Sequence, residues 1–113
     1  MIKNILKYGI LLGIFTSSAM CDPYMVMSGR LHDLFESRTQ TNTPLSNEDM
    51  EWVYSQVKNL DLNYVRLASG LYWEYLIGSG EYDTGTKEQR NEIDRLERFL
   101  LHKYNVDHNL IAG

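Results

Sequence analysis

Four stretches of the chain repeat apolar residues at helical spacing, and polar stretches separate them. The richest runs from Leu60 to Ile77. Tyr64, Leu67, Leu71 and Leu76 are expected to share one broad face, widened by Val65, Ala68, Tyr72 and Tyr75. Asn63, Arg66, Gly70 and Glu74 fall on a narrow polar stripe. A helix apolar over most of its circumference is usually buried on several sides. This segment therefore predicts a central helix with the other three packed around it. Truncating Leu67 or Leu71 should cost the most stability, and truncating Leu100 should be milder.

The flanking segments have their own start signals. Tyr24, Met27, Leu31 and Leu34, with Phe35 alongside, predict a helix from Pro23 to about Ser37. Asp22 suits its N-cap and Pro23 its first position. Met50, Val53, Val57 and Leu60 predict a second helix, capped by Ser46 with acids in its first turn. Asp61 is the N-cap candidate of the central helix. Ile93, Leu96, Leu100 and Tyr104 predict the last, and Thr86 with Gln89 fits a capping box. Polar Arg38 to Leu45, closed by Pro44, reads as a loop, as does Gly78 to Gly85 with its three glycines. Val106 to Gly113 reads as a short tail, with Val106, Leu110 and Ile111 in reach of the core. No run alternates as a strand would. The expected class is all-α: a compact four-helix domain, arranged as a bundle or as an irregular orthogonal packing.

Residues 1–20 stand apart from that domain, which spans 21–113. Lys3 and Lys7 precede an apolar run, Tyr8 to Phe15, and then the small neutral exit Thr16 to Met20. That order is the pattern of a secretory signal. The run is short for a membrane span, which needs ~20 apolar residues, although an uncleaved anchor remains the other reading. Ser17 and Ala19 suit ordinary cleavage after Ala19. Alternatively, Ser18-Ala19-Met20-Cys21 resembles the lipobox of bacterial lipoproteins, which implies lipid attachment at Cys21. The same resemblance implies that Asp22 favours retention at the inner membrane. Cys21 is the only cysteine, so no internal disulfide forms, and an unpaired thiol in an oxidising compartment needs a reason.

Charge narrows the classes of partner. The whole chain has a formal net charge of −4, and losing Lys3 and Lys7 makes the remainder more acidic. An acidic domain with no basic run points away from nucleic acid. His32, His102 and His108 lack the one-turn spacing of a helical zinc site, and no cysteine pair exists. No metal or cofactor is expected. There is no Gly-x-Ser-x-Gly elbow and no phosphate loop.

Several short resemblances bear on function. Glu74 and Asp83, nine residues apart with Thr84 and a glycine following, resemble the carboxylate pair of phage-type lysozymes. That implies glycoside hydrolysis by one protonated and one ionised acid. Here, however, a capped helix follows at Thr86 where those enzymes continue into a glycine-rich hairpin. Tyr75-Leu76-Ile77-Gly78 is similar to a turn in small exported immunity proteins, which usually carry paired cysteines absent here. Asp22-Pro23 and Leu34-Phe35-Glu36 are similar to stretches of exported phage antiholins. These short echoes assign the chain to none of the three families.

Aromatic residues carry the remaining signal. Tyr64, Tyr72, Trp73, Tyr75 and Tyr82 crowd together, and one helix face cannot bury Tyr72, Trp73 and Tyr75 equally. Neighbouring helices wrap them, or some form a protein-binding patch, where Tyr and Trp are favoured. Trp52 sits off its own helix's stripe and reads either as a ring over the core edge or as an exposed anchor. The partner-binding candidates are thus Trp52, Tyr72, Trp73, Tyr75 and Tyr82. The expected function is an exported, non-enzymatic helical protein of inhibitor, immunity or exclusion type. It would bind another envelope or periplasmic protein, and the membrane itself through a lipid on Cys21. The alternatives are a small cell-wall glycoside hydrolase using Glu74 and Asp83, or an antiholin-like lysis regulator.

Overall fold

The computed structural model describes residues 22–78 and 84–111. They form four helices: α1 (Pro23–Gln40), α2 (Asn47–Val57), α3 (Leu62–Ile77) and α4 (Lys87–Asp107). No strand occurs among the described residues. The signal segment, Cys21, Tyr82 and Asp83 lie outside them.

The caps follow the chemistry of the residues that make them. Asp22 accepts the amide N–H of Tyr24 at 3.0 Å, with Pro23 next in line. Ser46 and Asp49 form a reciprocal capping box at α2, each side chain accepting the other's backbone N–H at 3.0 and 2.9 Å. Thr86 and Gln89 do the same at α4. Asp61 stands at the N-cap of α3 but makes no side-chain cap bond.

α1 continues to Gln40, one turn beyond the expected Ser37. The Thr41 hydroxyl donates to the Ser37 carbonyl at 2.9 Å, and Asn42 then turns the chain at φ 55°. Asparagine is among the few side chains at ease in that left-handed conformation. α4 also runs further than expected. Its helix includes Val106, while Leu110 and Ile111 are exposed rather than reaching the core.

The core is one cluster drawn from every helix. Met27, Leu31 and Phe35 of α1 meet Met50, Val53, Tyr54 and Val57 of α2. Val65, Ala68, Leu71 and Tyr72 of α3 and Ile93, Leu96 and Leu100 of α4 complete it. α3 packs against each of the other three, whereas α1 and α4 touch least. Helix α3 thus has the central place expected of it.

The face that α3 buries is rotated from the expected one. Val65, Ala68 and Tyr72 point inward, and Leu67 is 43% exposed. At 100° per residue, Leu67 lies next to Asn63, Gly70 and Glu74, so it joins the polar side. Arg66 also faces solvent, 3.9 Å from Glu97. On α1 the inward line is Met27, Leu31 and Phe35, which leaves Leu34 half-buried at the edge facing α2.

These positions change the expected ranking of truncations. Leu67→Ala should alter stability by under ~0.5 kcal/mol, as for an ordinary surface site. Leu71→Ala should cost ~2–5 kcal/mol, and Leu100→Ala should equal it, because Leu100 is fully buried. Urea denaturation of the three variants measures this, and a Leu67→Ala cost matching Leu71→Ala would disprove the rotation.

Candidate functional site

The outer surface between α1 and α2 is a groove of about 300 Å³ lined by Arg30, Asp33, Leu34, Asp49 and Trp52. Each wall follows from helical spacing. On α1, Val26, Arg30, Asp33 and Ser37 recur in steps of four, three and four residues, a single stripe beside the buried face. On α2, Trp52 falls opposite the core-facing Met50, Val53 and Val57. The Trp52 ring is 41% exposed, and Leu34 forms apolar floor beside it.

The groove is braced from beneath by a bidentate pair. Arg38 donates from Nε and Nη2 to the two Asp49 oxygens at 2.8 and 3.0 Å. Those hydrogen bonds hold the Asp49 carboxyl below its usual range, although burial opposes them. Asp49 also closes the α2 capping box, so it is fully engaged. Arg30 and Asp33 are exposed and have no hydrogen bond or ion pair among the described residues. The groove therefore offers a tryptophan ring, a leucine floor and one unpaired charge of each sign.

The other aromatic candidates take different places. Tyr72 is 1% exposed, so it belongs to the core and presents no surface to a partner. Its hydroxyl donates to Glu92 at 2.9 Å. Burial, then that hydrogen bond, raises its pKa steeply, which keeps the phenol a proton donor. Trp73 is half-buried against the core. Tyr75 is half-buried and bridges α3 to α1: its hydroxyl lies 2.5 Å from Nδ1 of His32, whose Nε2 faces Glu36 at 3.0 Å.

A tyrosine, histidine and carboxylate in sequence invite comparison with a nucleophilic relay. A nucleophile is activated by an adjacent base or by a lowered pKa. Burial raises that of Tyr75, and the nearby Glu36, Glu74 and Asp33 raise it further. The contacts among the three side chains join α3 to α1. Glu74, one carboxylate of the lysozyme-like spacing, is exposed on α3, and Asp83 lies outside the described residues.

A second cleft, about 310 Å³, lies among the α1–α2 loop, α3 and α4, with Arg38, Pro44, Tyr72, Glu88 and Glu92 in its walls. Glu92 is its centre. One carboxylate oxygen accepts the Leu45 N–H at 2.8 Å and the Tyr72 hydroxyl, and Arg95 engages both oxygens. Arg95 also donates to the Leu45 carbonyl. This node fastens the loop to α4, and its strongest polar groups are occupied with one another.

Sequence reasoning missed two of these features. Glu92 and Arg95 have the three-residue spacing of an ordinary surface ion pair on a helix, and nothing in the sequence marks Leu45 as its third member. Tyr54 is buried and donates to Asp107 at 2.6 Å. Its position one turn after Met50 and before Val57 was the available signal. Among the described residues no three His, Cys, Asp or Glu side chains assemble as a metal site. No described helix is long and apolar enough to cross a membrane. No protein-family model matches the chain, and no curated protein or solved structure matches it either.

Proposed function

We propose that the protein is an exported helical module that acts at the bacterial envelope by binding protein, through the α1–α2 groove. The observation that carries this reading is the exposed Trp52 ring beside Leu34 and the unpaired Arg30. Tryptophan and arginine are the residues most enriched among interface hot spots, and an apolar floor supplies the desolvated centre such sites need. The acidic composition and the signal-like first twenty residues support the envelope setting and argue against nucleic acid. If Cys21 carries lipid, α1 begins at the membrane surface with almost no linker. Of the expected candidates, Trp52 remains the anchor. Tyr72 leaves the set because it is buried, and Tyr82 lies outside the described residues.

A photo-crosslinking side chain at position 52 tests this in the producing cell, with position 91 on the exposed side of α4 as control. Position 52 should capture a defined protein and position 91 should not. Equal capture from both positions, or none from either, would remove the groove from consideration.

A further inference from the structure

We infer that the occupant of the α1–α2 groove is a second copy of this chain, docked by a two-fold axis that crosses α1 between Arg30 and Asp33. This rests on the protein-binding reading of the same groove and names its partner. Two observations carry it. Arg30 and Asp33 are the two unpaired charges of the groove, of opposite sign and three residues apart on one stripe of α1. Flanking them are apolar side chains with no cover, Trp52 and Val26, each 41% exposed.

A surface with one charge of each sign, placed symmetrically about a point, is complementary to itself under two-fold rotation. Two α1 helices set antiparallel across that axis bring Arg30 of each copy opposite Asp33 of the other. Val26 then falls opposite Ser37, so no like charges meet along the stripe. Both α2 helices lie on the same side of the seam, which places the two Trp52 rings towards each other over the Leu34 floors. Each copy supplies the counter-charge and the apolar cover that the other lacks. A foreign partner would have to reproduce this spacing; a second copy has it by construction.

Charge reversal tests the geometry. The exported full chain is measured by sedimentation equilibrium, with a reductant present so that Cys21 cannot crosslink copies. It should show a monomer–dimer equilibrium. Arg30→Asp and Asp33→Arg each create two like-charge contacts across the axis, and each should weaken dimerisation about tenfold or more. The double variant restores opposite charges with the signs exchanged and should recover most of the loss. Both residues are exposed, so circular dichroism should report unchanged helix content in all three variants. A wild-type chain monomeric at every accessible concentration overturns the inference, as does a double variant as weak as the singles. In either case, a different protein captured from position 52 leaves the protein-binding reading standing, and no capture removes both.

Discussion

Phe35→Ala should be the most damaging single truncation in the protein, costing ~3–5 kcal/mol. The Phe35 ring is completely buried. Its centroid lies 4.7 Å from that of Tyr72 and 5.8 Å from that of Tyr75. Such aromatic pairs add ~0.5–1.5 kcal/mol each beyond the area they bury. They also form the seam between α1 and α3, so the cavity left by alanine opens where two helices must stay in register. Domains of this kind have a total stability of about 5–15 kcal/mol. Urea denaturation followed by tryptophan fluorescence reads the loss. A cost below ~1 kcal/mol would show that the seam is held elsewhere.

Glu92→Ala should follow at ~3 kcal/mol. Alanine strands three groups at once: the Leu45 amide, the Tyr72 hydroxyl and the Arg95 guanidinium. Losing a charged acceptor costs more than a neutral hydrogen bond, because each donor left without water or partner bears its own desolvation. The Glu92 side chain is only 14% exposed and Arg95 38%, so solvent rescues the arginine far more readily than the tyrosine. Glu92→Gln keeps an acceptor oxygen and should recover about half of the loss. Tyr72→Phe alone should cost ~1 kcal/mol. In a double-mutant cycle with Glu92→Ala the two should be strongly non-additive, since they remove one bond between them. Additive costs would mean that Tyr72 and Glu92 act independently.

The helices and their beginnings were largely legible in the chain, because both signals are local. Apolar spacing names a helix, and Ser46, Thr86 and Asp22 cap within three residues of themselves. The rotation of α3 was not legible. Its apolar residues cover so much of the circumference that several orientations bury similar numbers of them. What decides is which side chains α1 and α4 offer in return, here Phe35 for Tyr72 and Glu92 for the Tyr72 hydroxyl. Leu67 was on the losing edge of that choice. The groove shows the same division. Trp52 stood out in sequence because it broke its helix's pattern, whereas Arg30 and Leu34 became part of a site only when α1 and α2 met along one edge. Arg38–Asp49 joins residues on two helices, so no helical period announced it.

The Leu45 peptide sets an order of events in time. Its amide is met by Glu92, 47 residues further along, and its carbonyl by Arg95, 50 residues further. A chain that emerges amino end first can form α1, α2 and the local hydrogen bonds of their connection early, but Leu45 meets Glu92 and Arg95 only when α4 arrives. Closing so long a span is entropically slow compared with forming a local turn. The last quarter of the protein therefore fastens a joint in its first half. A chain truncated before α4 should be cut by proteases in the α1–α2 connection faster than the full chain, because completion of the final helix is what secures Leu45.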